Sequence, residues 1–147
     1  MTAPTLIIGI GNPSRGDDAL GPIAVERLAE LDLPGVELLT DFQLQVEYVL
    51  DLHARDRVIF IDASEAAPRG YAFAPVTAAA DRSYTSHELT PAALLHAYAQ
   101  THGTPPPAWV LAIHGDNWEL GQPPTAAALA HLDAALNHLL DFLAEAA

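Results

Sequence analysis

Hydrophobic and polar positions along the chain fall into blocks that switch between two periods. Leu6-Ile7-Ile8-Gly9-Ile10 is an unbroken apolar run, rich in β-branched residues and stopped by Gly11-Asn12-Pro13. Such a run predicts a first strand buried on both faces. Beyond Asp17-Asp18, apolar residues recur at Leu20, Ile23, Ala24, Leu28 and Leu31, the spacing of a helix with Pro22 in its opening turn. Val36-Glu37-Leu38-Leu39, after Pro34-Gly35, predicts a second strand. Val46, Val49, Leu50 and His53 then share one face of a second helix. Arg57-Val58-Ile59-Phe60-Ile61-Asp62 has the clearest strand pattern in the chain and is expected to end on its carboxylate.

Tyr71 to Val76 alternates weakly and contains Pro75, which confines a strand there to a sheet edge or a strand end. Thr77 to His87 lacks apolar periodicity and reads as a loop. Thr90-Pro91 supplies the cap and first position of a third helix. The turn Thr104-Pro105-Pro106-Pro107 leads into another buried strand, Trp109 to His114. From Thr125 onward, Ala128, Leu129, Leu132, Leu136, Leu139, Leu140 and Leu143 mark a long amphipathic helix. Strands alternating with helices imply an open, mainly parallel sheet covered on both faces. The 147 residues suit one domain, 1–147. Ligands of such sheets bind beyond the carboxyl ends of the strands.

Composition removes several classes of function. Nineteen acidic residues against six arginines and no lysine give a formal charge of -13, which repels a phosphate backbone, so nucleic acid is not expected as a partner. The absence of cysteine excludes a thiolate nucleophile, a disulfide and any thiolate metal site; metal chemistry must use His, Asp and Glu. No apolar run approaches the roughly 18 to 20 residues of a membrane-spanning helix. Met1 to Ile10 also lacks the basic flank and small-residue cleavage site of a leader. A soluble, cytoplasmic protein without a membrane partner is expected.

Gly9-Ile10-Gly11-Asn12-Pro13-Ser14 invites a dinucleotide-binding reading, but Ser14 stands where the third glycine belongs. Asp17 and Asp18 then occupy a helix start, where pyrophosphate requires bare amides. The electrostatics suit a cation. Each candidate also has a plainer role: Asp17 and Asp18 as helix-start acids worth about 0.3 to 1 kcal/mol each, Asp62 as a turn cap, His87 as a solvated loop side chain. The other histidines show no zinc-protease spacing. His96, His131 and His138 fall on helices, His102 in a turn, and His114 closes the last strand near the rim of any site. No serine has a recognisable base and orienting partner. Topology raises the weight of two acids. Asp18 follows the first strand and Asp62 closes the third, so both should face one carboxyl edge. Two carboxylates and an imidazole would leave positions open on a divalent ion.

An acidic pair after the first strand and an Asp at the end of the third also describe a receiver-like phosphoacceptor domain. That chemistry needs a lysine near the last strand, and the chain has none. A non-catalytic acidic binding module is the other alternative.

Gly9-Ile10-Gly11-Asn12 followed by Asp17-Asp18-Ala19-Leu20-Gly21 resembles the opening motif of the hydrogenase maturation proteases. The resemblance runs from Leu6 to the C-terminal helix. It implies an α/β fold, a three-layer α/β/α sandwich whose five-stranded sheet is mostly parallel with one antiparallel strand. It also implies an endopeptidase that removes the C-terminal extension of a hydrogenase large-subunit precursor. Asp18, Asp62 and His87 would be the catalytic residues and ligands of nickel, which the precursor supplies; no organic cofactor is implied. Asp17 is a further candidate at the substrate, as base or water holder. After the second strand, the family's common form is an Asp followed by a Gly-Gly-Thr-x-Gly-like turn. Here Thr40-Asp41-Phe42-Gln43-Leu44-Gln45-Val46-Glu47 is similar to the branch serving NAD-reducing, bidirectional hydrogenases, with Gln43 and Gln45 offering amides to a peptide. His114-Gly115-Asp116-Asn117-Trp118-Glu119-Leu120-Gly121 resembles the family only through its Glu-Leu-Gly.

Overall fold

The unbroken apolar runs occupy the middle of the sheet, as burial on both faces requires. In a computed structural model that describes residues 2–80 and 89–145, β1 (Thr5–Ile10) is buried at every position. It pairs in parallel with β2 (Val36–Asp41) on one side and β3 (Arg57–Ser64) on the other. β3 continues in parallel to β5 (Ala108–His114), which pairs with the antiparallel edge strand β4 (Tyr71–Val76). The order is β2-β1-β3-β5-β4. This is the expected five-stranded, mostly parallel sheet, and the proline-bearing segment is indeed its edge.

Two helical layers cover the sheet. Ile7, Ile59, Ile61, Leu111 and Ile113 pack against α1 (Leu20–Ala29) and α4 (Ala126–Glu145). On the opposite face Leu6, Ile8, Ile10, Val58 and Phe60 meet Leu52 of α2 (Val49–Leu52) and Leu94, Leu95 and Tyr98 of α3 (Pro91–His102). Alternation along β1 and β3 thus divides one apolar run between two cores. Thr90 caps α3 as its position predicts: its hydroxyl accepts the Ala93 amide at 3.1 Å, with Pro91 in the first turn. Among the described residues, no helix is long and apolar enough to cross a membrane.

Two local expectations are corrected. The second helix shrinks to a 3-10 turn, Val46–Tyr48, followed by the single turn of α2. Val46 and Leu50, expected on its buried face, are 53% and 69% exposed; Leu44 and Leu52 enter the core instead. One turn is too short to develop a 3.6-residue stripe. Arg55 holds its end, donating to the carbonyls of Asp51 and Ala3 and to Glu37 Oε1. β3 runs two residues beyond Asp62, because Ala63 and Ser64 still find partners in Ile113 and His114 of β5. Against β1, however, pairing stops at Ile10 and Asp62, so Asp62 still marks the carboxyl edge on that side.

The glycines of the opening motif serve packing. A Cβ on Gly21 of α1 would lie 2.3 Å from the carbonyl oxygen of Ile10 and 2.8 Å from that of Ile61; one on Gly9 would lie 2.4 Å from the carbonyl oxygen of Gly21. α1 therefore rests directly on the backbones of β1 and β3. Gly21→Ala should destabilise the protein by about 1 to 3 kcal/mol or more, since backbone must move to admit the methyl; urea unfolding of the variant measures it.

Candidate functional site

β1 and β3 enclose the topological switch point of the sheet. The chain leaves β1 through α1 over one face and returns to β3 through α2 over the other, and the carboxyl ends on either side of such a point are where open α/β sheets bind their ligands. Ile10 at the end of β1 is in register with Asp62 on one side and Asp41 on the other. Parallel neighbours are spaced by roughly 4.8 Å, which puts the backbones of Asp41 and Asp62 about 10 Å apart with Ile10 between them. Asp62 alternates in step with Val58 and Phe60 and so belongs to the sheet face covered by α2 and α3.

Asp18 reaches this edge from the turn after β1. Asn12 shapes that turn: its side-chain oxygen accepts the Ser14 amide at 2.8 Å, and its backbone amide donates to Asp18 Oδ2 at 2.9 Å. Gly11, at φ +147°, makes the approach possible, because a Cβ there would stand 1.9 Å from the Asp18 carbonyl oxygen and 3.3 Å from its Oδ1. The Gly-Asn pair thus seats the second acid of the motif beside the end of β1.

Asp17 points the other way. It is 0% exposed, and its carboxylate accepts four hydrogen bonds from the loop between β5 and α4. Oδ2 takes the amides of Asp116 at 2.8 Å and Asn117 at 3.1 Å and the Thr125 hydroxyl at 3.1 Å; Oδ1 takes the Thr125 amide at 2.7 Å. The backbone joins in, with the Asp17 amide donating to Asn117 O and the Gly16 amide to Gln122 O. Burial pushes the Asp17 carboxyl up. The amides of Thr125, Asp116 and Asn117 and the Thr125 hydroxyl together outweigh that and hold its pKa below the usual value. Thr125 also caps α4, its hydroxyl oxygen accepting the Ala128 amide at 3.1 Å. The adjacent acids of the motif therefore separate: Asp17 anchors the distant loop, and Asp18 stands at the edge.

The other candidates are placed as follows. Gln43 and Gln45 are exposed in the connection after β2. His87 lies outside the described residues. Among the described residues, no three His, Cys, Asp or Glu side chains come together as a metal site; of the three expected ligands, Asp18 and Asp62 are the two that the described residues include. Asp41 was not singled out from sequence, although its place at the end of β2 was a usable signal. Its Oδ1 accepts the Phe42 amide at 2.7 Å and its Oδ2 the Tyr48 hydroxyl at 2.8 Å. Burial, with this bond to a carboxylate, pushes the Tyr48 pKa up to about 12. Phe42 beside it is 63% exposed. A cavity of about 240 Å³ between the two strand-end turns is lined by Gly11, Pro13, Pro22, Thr40, Asp41 and Phe42.

No protein-family model matches the chain, and no curated protein matches it in sequence. Solved structures do. The [NiFe] hydrogenase maturation protease HycI from Thermococcus kodakarensis superposes with a TM-score of 0.77 at 24% identity, over 96% of this chain and 92% of that one. The hydrogenase maturating endopeptidase HybD from E. coli gives 0.76 at 24% identity, over 97% and 93%. The solution structure of an endopeptidase from Escherichia coli gives 0.74 at 25% identity, again over 97% and 93%. The chain has the fold of the hydrogenase maturation proteases, and at that level the resemblance read from its opening motif holds.

Asp17→Asn replaces a charged acceptor with an amide that cannot accept all four bonds, and should cost about 2 kcal/mol at pH 7. Because the folded pKa is depressed, the carboxylate's stabilisation is full above the ordinary Asp value near 4 and is lost as pH falls through the folded value. The gap between wild type and Asp17→Asn in chemical denaturation should therefore narrow steadily below about pH 4.

Proposed function

We propose that this protein is an endopeptidase that removes the C-terminal extension of a nickel-loaded hydrogenase large-subunit precursor. What supports the reading is that Asp62 is in register with Ile10 at the carboxyl end of β1 and that the turn carrying Asp18 follows that same strand end, in a chain with the fold of maturation endopeptidases. On this reading nickel arrives as part of the substrate. Asp18, Asp62 and His87 are its ligands, and gripping the ion fixes the adjoining peptide bond beside a polarised carbonyl or an activated water. Hard carboxylate oxygens with one imidazole suit a divalent ion that must be taken up and released with its carrier.

Gln43 and Gln45, exposed after β2, are assigned to contacts with the precursor peptide. The glutamine form of this turn supports a substrate from the NAD-reducing hydrogenases. Asp17 contributes to substrate binding indirectly: with its carboxylate enclosed and four times bonded, it holds the loop that borders the site. Work inside the cell and a requirement for no organic cofactor complete the proposal.

Mass spectrometry of a nickel-loaded precursor incubated with the protein tests it. Loss of a C-terminal peptide is expected with wild type and only when nickel is present. Asp62→Ala and Asp18→Asn should each lower the rate by at least about a hundredfold, an order of magnitude typical for groups that position or polarise the reacting bond, while retaining the wild-type circular dichroism spectrum. Undiminished cleavage by Asp62→Ala would overturn the site, and uncleaved cognate precursors would overturn the activity.

A further inference from the structure

His114, the last residue of β5, presents both ring nitrogens to acceptors. Nδ1 lies 2.8 Å from the carbonyl oxygen of Ala67 and Nε2 2.8 Å from Oδ1 of Asp116. A carbonyl oxygen and an ionised carboxylate can only accept, and a neutral imidazole has one N–H to give. Both bonds exist together only on the imidazolium. Ala67 belongs to the β3–β4 connection and Asp116 to the β5–α4 connection, so the cationic ring clips the two loops together. Asp116 in turn sends its backbone amide to Asp17 Oδ2, next to Asp18 in the chain.

We propose that His114 is a positioning residue, a protonation-dependent clip that holds the β5–α4 loop, and through it Asp17 and the Asp18 turn, in their working geometry. The surroundings of the ring agree. Asp116 on its own loop favours the cation, while Arg69 in the β3–β4 connection opposes it. His131 of α4 stands edge-on at 5.8 Å between ring centroids, and its Nδ1 faces the His114 carbonyl oxygen at 3.2 Å. The strand partner on β3 is the neutral Ser64. The bonds to Ala67 and Asp116 prevail and raise the His114 pKa above its usual value. A raised folded pKa means that the clip is complete below the ordinary histidine value near 6.5 and is lost as pH rises through the folded one. On deprotonation a ring lone pair faces an acceptor lone pair, and one loop is released.

The clip is a property of the fold; only its effect on cleavage rests on the endopeptidase reading. Nuclear magnetic resonance of the isotope-labelled protein between pH 5 and pH 9 should show the His114 ring titrating above free histidine. The amide signals of Asp116, Asn117 and Thr125 should shift with the same midpoint. Asp116→Asn, at an exposed position, should lower that midpoint, and His114→Gln should abolish the shifts of the amides. With a cleavable precursor, the wild-type rate should fall several-fold along the same midpoint, whereas His114→Gln should be slower and flat across it. Amides that ignore the ring titration, or an unchanged cleavage profile in His114→Gln, would overturn the clip. If wild type cleaves nothing, the endopeptidase reading fails and the amide titration alone decides.

Discussion

The buried carboxylate of Asp17 is the interaction on which the arrangement of the site depends. It lies in the 3-10 turn Gly16–Ala19 that joins β1 to α1, and it gathers donors from residues about a hundred positions away in the chain. A carboxylate taken out of water is costly unless its lone pairs are met, and here four donors meet them. The consequence reaches beyond stability. The turn that presents Asp18 and the loop that follows β5 become one body, and α4 begins from it because Thr125 bonds Asp17 and caps the helix with the same hydroxyl oxygen.

A second constraint is the contact of α1 with bare backbone. With Gly9 and Gly21 facing each other and the Ile10 and Ile61 carbonyls below, the helix sits closer to the sheet than any side chain would permit. That closeness sets where the turn before it must lie, and so delivers Asp18 to the end of β1 beside the strand that carries Asp62. In a dinucleotide-binding fold, glycines in similar places let a phosphate approach the backbone. Here the space is taken by the protein itself, and the helix start carries acids.

Much of this was legible in the chain. β1, β3 and β5 announce themselves as unbroken apolar runs because inner parallel strands are buried twice, and α3 and α4 announce themselves through Thr90-Pro91 and a leucine spacing that needs no tertiary information. The edge position of β4 followed from Pro75. What escaped depended on contacts remote in sequence. Asp17 and Asp18 are indistinguishable as neighbouring acids, and only the Thr125 and Asp116 amides tell them apart. The last two residues of β3 are strand because β5 is there to pair with them. The helix expected from Val46, Val49, Leu50 and His53 fails since one turn of α2 suffices to bridge the strands, with Leu44 and Leu52 reaching the core.

The charge of the edge bears on how a cation would be held. Asp41 and Asp62 flank Ile10 at the end of β1, and Asp18 stands in the turn that follows it, in a chain of formal charge -13. Asp41 is already committed, through both oxygens, to the Phe42 amide and the Tyr48 hydroxyl, which fix it as a source of negative potential more than as a ligand. Acids along one edge set up a negative potential that favours a divalent cation. An ion bound by few protein ligands keeps its other positions for whatever carries it. On the proposed reading the carrier is the precursor, so affinity for the ion and recognition of the peptide become one event: the acidic edge is completed by its substrate, and processing waits until the metal is in place.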